Sequence, residues 1–202
     1  MERDYKKMWD ERYSQKDLVY GKEANKYFKE KLDKLKPGKL FMPGDGEGRN
    51  SIYAAKNNWK VTSVDYSSVA VEKAKHYAEH ENVQADFINA DLTNYDYPKN
   101  YYDAVGIIFF HLQSPEKEIV HANIADSIKT GGAVILEVFS NDQLKYDSGG
   151  PRNKNALYSI EEIAEYYKKF DHIELIEKEI QLKESMHHSG PASVIRLFGI
   201  KK

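Results

Sequence analysis

The chain has no cysteine. That absence excludes disulfides, thiolate metal sites and a cysteine nucleophile together, and it fits a reducing compartment. An excess of one charge is also missing: 30 Lys and Arg against 32 Asp and Glu leave a formal net charge of −2 over 202 residues. So balanced a charge gives no footprint for nucleic acid. No apolar run approaches the roughly 18 residues that a membrane span needs. The opening MERDYKKMWDERY is charged throughout and lacks the apolar segment of a secretory signal. Internal repeats and low-complexity tracts are absent too. A cytoplasmic chain is expected, with one domain over 1–202: the length suffices for one well-buried α/β core and is short for two.

What is present is organised around Lys39–Asp65, which reads as strand, glycine turn, helix, strand and acidic residue. Lys39–Met42 is a short apolar run closed by Pro43 and Gly44, suited to a buried parallel strand. Gly44, Gly46 and Gly48 alternate with Asp45 and Glu47. A turn without Cβ atoms can take positive φ and lie close to a ligand. Asn50–Lys56 follows as a helix ended by Asn57 and Asn58, and Val61–Asp65 is the next strand. Asp65 stands 21 residues after Gly44, about where a Rossmann-like unit sets a carboxylate against ribose hydroxyls. The dinucleotide pattern G-x-G-x-x-G needs its third glycine where this chain has Arg49.

With its G-x-G-x-G turn the chain resembles the class I S-adenosylmethionine (SAM) methyltransferases. The stretches GEGRN, VDYS, NADL, FFHL, TGG, ILEVF and HSGPA resemble, more narrowly, the small bacterial enzymes of the tellurite-resistance and thiopurine type, from about Trp9 to the C-terminus. The resemblance implies a Rossmann-like α/β sandwich with a mostly parallel seven-stranded sheet and a C-terminal antiparallel hairpin. It implies SAM as cofactor, held by Tyr20, Gly44, Asp45, Gly46, Arg49, Asn50, Asp65, Tyr66, Ala90, Asp91, Leu92 and Phe109. One departure stands out. Many members carry an acid two residues before the first glycine, and here that residue is Met42; Asp45 or Glu47 is the available substitute.

Along the chain, residues 1–35 read as helical with a break at Ser14–Gly21. Tyr5, Met8, Trp9, Arg12 and Tyr13 lie three and four apart, a stripe that serves either core packing or, as the resemblance implies, a lid over cofactor and substrate. Ala24–Leu35 resumes the helix. Ser67 caps a helix over Ser68–Glu81, Val83–Ile88 is a third strand, and Asp103–Phe110 is the most apolar run, a central strand with His111 directly after it. Pro115 starts a helix that Gly131-Gly132 ends, and Ala133–Phe139 is the fifth strand. Ser140–Asn155 is a long polar connection of the kind that is usually functional. Ser159 caps the helix SIEEIAEYYKKF with a capping-box Glu162. Ile173–Leu182 and Ala192–Ile200 are strands joined by Lys183–Pro191.

These stretches match the parts of SAM. Glycine-turn amides and the helix N-terminus suit its carboxylate. Asp65 suits the ribose diol. Asp91 and Leu92 suit the adenine, though Asp91 serves equally as an ordinary turn aspartate. Arg49 reaches the turn or cofactor, or pairs with Glu47 or another acid. His188, in a His-Ser-Gly-Pro-Ala element that the resemblance sets near the methyl end, and His111 are the candidate catalytic residues; either imidazole could instead serve only a turn. No N-P-P-Y motif ends the fourth strand, so a nucleobase amine is not the expected acceptor. The partner expected is a small molecule, such as a thiol or chalcogen anion, with neither nucleic acid nor membrane. A nicotinamide-dependent oxidoreductase and a catalytically silent SAM-binding protein are the alternatives. Oligomeric state has no sequence signature here.

Overall fold

The computed structural model describes residues 5–185 and 187–202. Seven strands form one sheet in the order β3-β2-β1-β4-β5-β7-β6. They are β1 (Lys39–Pro43), β2 (Lys60–Asp65), β3 (Asp86–Asn89), β4 (Tyr102–Ile108), β5 (Ile128–Phe139), β6 (Phe170–Ser185) and β7 (His188–Lys201). The first five are parallel, and β7 runs antiparallel to both β5 and β6. The helices are α1 (Tyr5–Tyr13), α2 (Lys26–Leu32), α3 (Arg49–Lys56), α4 (Ser68–His80), α5 (Glu116–Ser127) and α6 (Ile160–Tyr166). The expected sandwich, with its parallel sheet and antiparallel C-terminal hairpin, is the observed one.

The sheet is buried on both faces. Phe41, Val105, Ile107, Val134 and Leu136 pack toward α5 and α6, while Leu40, Met42, Ala104 and Ile135 pack toward α2 and α3. Met42, the position where the resemblance leads to expecting an acid, is 1% exposed, and its sulfur lies beside Gly106, where a Cβ would come within 2.6 Å of it. The position belongs to the core.

Several boundaries differ from the sequence expectation, each for a local reason. The third strand begins at Asp86 rather than Val83, because Asn82 takes φ 55° and Val83 closes the helix end through its N–H to Ala78 O. The fourth ends at Ile108, because Phe109 takes φ 50° and leaves the strand. β5 starts at Ile128 and passes through Gly131 and Gly132, which therefore sit inside a ladder with a register shift and do not end the helix. β6 and β7 are much longer than their apolar cores, since main-chain pairing continues as far as Ser185↔His188. The His188 element is accordingly strand, not an exposed turn. The helical caps are as expected: Ser67 Oγ accepts from Ala70 N, and Ser159 with Glu162 forms a capping box. Residues 1–4 of the N-terminal stripe segment lie outside the described residues.

Strand order reverses between β1 and β4, and in open α/β sheets ligands bind outside the carboxyl ends of strands at such a point. Those ends carry the glycine turn (after β1), Asp65 (β2) and Phe109 (after β4).

Candidate active site

The turn after β1 is built by its own glycines. Gly44, Gly46 and Gly48 have φ of 63°, 58° and 80°, the left-handed region that side chains disfavour. A Cβ on Gly44 would lie 2.3 Å from Phe110, and one on Gly46 would lie 2.5 Å from the Tyr13 hydroxyl. The cradle therefore has no room for a side chain of its own. Tyr13 is 6% exposed and stacks on Trp9, with ring centroids 5.7 Å apart. The N-terminal stripe thus packs directly on the turn.

The acidic residues divide the work. Asp65 Oδ2 accepts from Gly46 N at 2.8 Å and Oδ1 from Ser67 N at 2.9 Å. Burial pushes its pKa up to about 6 against those two hydrogen bonds, with Asp45 and Asp10 adding repulsion. Asp65 is thus a buried brace of the turn as well as the acid at the strand end. Asp45 accepts from Asn50 Nδ2 at 2.9 Å and Ser51 N at 3.0 Å, tying the turn to the first residues of α3; burial raises it. Glu47 accepts from Val19 N at 2.7 Å and pairs with Lys73 at 2.7 Å, binding the N-terminal loop to α4. Between them Asp45 and Glu47 supply the anchoring that Met42 does not.

Arg49 does not pair with Glu47. Its guanidinium donates to Tyr20 O at 3.3 Å, Glu23 O at 3.1 Å and Glu184 Oε2 at 2.6 Å. Asn50 Oδ1 accepts from Asn25 N at 2.9 Å. Arg49 and Asn50, read from the sequence as reaching toward the cofactor, spend these polar atoms on holding the segment from Tyr20 to Asn25. Beyond β3, Asp91 Oδ1 accepts from Thr93 N and Thr93 Oγ1 at 2.9 and 2.7 Å, a turn role. Leu92 is 5% exposed and packs in the core, Ala90 N bonds Asp65 O at 3.1 Å, and Tyr66 is exposed.

Above β4 and β5 an aromatic cage surrounds His188. Its ring lies 4.6 Å from Phe109, 4.8 Å from Tyr20 and 5.5 Å from Phe139, centroid to centroid. His188 is 6% exposed, and burial lowers its pKa, with Glu184 opposing and Arg49 and His187 reinforcing the drop. Burial thus favours the neutral imidazole. His111 shares Phe139 as a neighbour at 5.6 Å, but both of its nitrogens are engaged. Nδ1 donates to Ala156 O at 2.7 Å and Nε2 accepts from Phe139 N at 3.4 Å. Burial brings its pKa down to about 4. It braces the ends of β4 and β5 and has no nitrogen left for proton transfer.

Sequence reading missed Asn25, Glu137 and Gln143, all polar and buried, and Glu184, whose side chain is 10% exposed. Asn25 Nδ2 donates to both Glu137 Oε1 at 2.6 Å and Glu184 Oε1 at 2.9 Å. Gln143 joins Ser148, Gly149 O and Ser193 N, pinning the long connection to β7. The signal available for Glu184 was its spacing, four residues before His188, which carries no meaning when Lys183–Pro191 is taken as the connection between two strands.

Residues 43–132 match the family model described as a methyltransferase domain. Over that stretch the chain resembles the class I SAM-dependent methyltransferases. It is 25% identical over 142 residues to the probable S-adenosyl-L-methionine-dependent methyltransferase TehB of Haemophilus influenzae, covering 69% of this chain and 48% of that one. It is 27% identical over 132 residues to the sterol 24-C-methyltransferase of Yarrowia lipolytica, covering 63% and 34%. The chain thus spans between a third and a half of the length of these curated relatives. Among solved structures, TehB from Haemophilus influenzae superposes with a TM-score of 0.73 at 20% identity, over 98% of this chain and 67% of that one. The [4+2]-cyclase SpnF superposes at 0.72 with 14% identity, over 98% and 95%; these likenesses establish the fold.

S-adenosyl-L-methionine is the cofactor of such a domain, and the residues present fit it. The cradle that a Cβ would fill, the strand-end carboxylate of Asp65 and the aromatic rings of Phe109 and Tyr20 lie along one edge of the sheet.

Proposed function

We propose that this protein transfers the methyl group of SAM to a small-molecule acceptor with a soft nucleophilic atom, a thiol or a related chalcogen. The observation that carries the reading is the adjacency of two features. One is the glycine cradle with Asp65; the other is the neutral, aromatic-walled His188, and Arg49 through Glu184 ties them together.

In this reading the turn from Gly44 to Gly48 and the start of α3 seat the methionine end, Asp65 and Tyr66 the ribose, and Ala90, Asp91 and Leu92 the adenine. Tyr20 and Phe109 flank the methyl end, while Arg49 and Asn50 hold the walls in place. SAM supplies an already activated methyl carbon, so the chain's task is alignment and exclusion of water. The single domain covers 1–202. Its N-terminal segment, with Trp9 stacked on Tyr13 and Tyr13 set against Gly46, acts as the lid. Apolar walls around His188 suit a polarisable, uncharged group better than a phosphate or a nucleic-acid backbone. Among the described residues no helix is long and apolar enough to cross a membrane, and the cysteine-free chain fits the cytoplasm.

The test is incubation with methyl-labelled SAM and a panel of small thiols, selenide, phenols, amines and a short oligonucleotide. Label on thiols or selenide, and none on the oligonucleotide, is expected. Label only on oxygen, nitrogen or nucleic acid would overturn the acceptor class.

A further inference from the structure

His188 Nδ1 is buried and has no hydrogen-bond partner among the described residues. Glu184 Oε2 lies 3.7 Å from it, longer than a hydrogen bond and short enough to be closed by a small rotation of the ring. Glu184 itself is fixed. Its side chain is 10% exposed, Arg49 Nη2 lies 2.6 Å from Oε2, and Asn25 Nδ2 lies 2.9 Å from Oε1. Burial alone would raise its pKa, but His188 and Arg49 outweigh that and hold it down at about 2. Glu184 is therefore a carboxylate at any pH near neutrality.

A ring nitrogen facing a carboxylate must carry the proton, because two lone pairs would repel each other. That puts the hydrogen on Nδ1 and the lone pair on Nε2. The Cδ2 edge of the ring backs on Gly149, with Cδ2 2.8 Å and Nε2 3.4 Å from where a Cβ on that glycine would sit, so only glycine lets the ring lie in this place. No hydrogen bond reaches Nε2 among the described residues.

We infer that Glu184 makes His188 a base: it holds the imidazole with Nδ1–H toward its carboxylate, leaves Nε2 bare, and selects an acceptor that arrives as a neutral thiol rather than an anion. The groups facing His188 all bear on this. Glu184 attracts an imidazolium, whereas Arg49, His187 and His111 repel one, and Tyr20, Phe109 and Phe139 desolvate it. The resting ring is therefore neutral and cannot orient an anion by charge. A neutral thiol needs no such charge to be held. Its S–H bond breaks as the proton passes to Nε2, and the electron pair stays on sulfur and forms the new bond to the methyl carbon. The pair of the broken sulfonium C–S bond leaves on the departing thioether. The imidazolium so formed is stabilised by Glu184 until it loses its proton to water. Glu184 is a positioning residue in this scheme and His188 the catalytic one.

The acceptor part rests on the methyltransferase reading; the tautomer does not, and the experiment separates them. Long-range 1H–15N correlation on the histidine-labelled full chain, with no ligand, is expected to show His188 neutral with its proton on Nδ1 across neutral pH. A proton on Nε2, or a charged ring, overturns the proposal without any need for turnover. Next, 2-mercaptoethanol, a thiol that stays protonated at neutral pH, and selenide, an anion there, are assayed with SAM. Wild type is expected to methylate 2-mercaptoethanol. Glu184→Gln, which keeps an oxygen for Arg49, should lower kcat about tenfold or more, with SAM affinity within about twofold and a mixed tautomer signal. Unchanged kcat and tautomer in folded Glu184→Gln, or turnover of selenide alone, overturns the inference. If wild type binds no SAM by calorimetry, the methyltransferase reading fails instead, and the tautomer measurement still decides the role of Glu184.

Discussion

Arg49, at the start of the helix behind the glycine turn, and Glu184, at the end of β6, form a buried ion pair 2.6 Å long across 135 residues of sequence. The pair fastens the C-terminal hairpin to the cofactor turn. Removing one partner of a buried pair leaves the other charged and unmatched, at a cost of roughly 3–5 kcal/mol. Arg49→Ala should therefore lower the urea midpoint strongly. The Arg49→Ala, Glu184→Ala double variant should lose less than the sum of the two single losses. Additive losses would mean that the two side chains do not act together.

Asp65 links pH to both stability and affinity. Its pKa in the folded protein, pushed up to about 6 by burial, exceeds the ordinary carboxylate value. Between that ordinary value and pH 6 the folded protein holds a proton that the unfolded chain releases. The stability contributed by this group is therefore full at low pH and is lost as pH rises through 6. A bound ribose diol has the opposite sign, since its hydroxyls donate to the ionised form. SAM affinity should rise about tenfold per pH unit below 6 and level off above it, as calorimetry across pH would record. Asp65→Ala should remove that slope and weaken SAM binding by roughly 1.5–3 kcal/mol. It should also destabilise the fold, because the main-chain N–H groups of Gly46 and Ser67 lose their acceptor.

Gly46→Val should abolish SAM binding. At φ 58° the new side chain would be strained, and its Cβ would fall 2.5 Å from the Tyr13 hydroxyl. Adding Tyr13→Ala relieves the clash but not the strain, so the double variant should also fail to bind in a titration.

Trp9 offers a reporter for the lid. The chain has 2 tryptophans. Trp59 is buried just before β2, at the end of the strand away from the turn, while Trp9 stacks on Tyr13. SAM should change the fluorescence of Trp9, saturating at one equivalent. A silent titration, with binding proved by heat, would remove the lid.

Much of this was legible in advance because it rests on local chemistry. Gly44, Gly46 and Gly48 in alternation, Ser67 and Ser159 at helix starts, and the apolar run through Ile107 each announce their structure within a few residues. What stayed hidden depends on distant partners. Nothing near Asn25 says that it joins Glu137 and Glu184, and β6 is polar because its outer positions face water, so its length is fixed by main-chain pairing to β7. His111 looked reactive from its place after β4; only the fold shows Ala156 and Phe139 occupying its two nitrogens.

The central claim is that the glycine cradle with Asp65 is a seat for SAM, and calorimetry on the full chain with SAM, S-adenosylhomocysteine and NADH tests it most directly. The account predicts one-to-one binding of SAM and S-adenosylhomocysteine, lost in Gly46→Val, and no heat with NADH. Binding of NADH without SAM, or SAM binding that survives Gly46→Val unchanged, would contradict it.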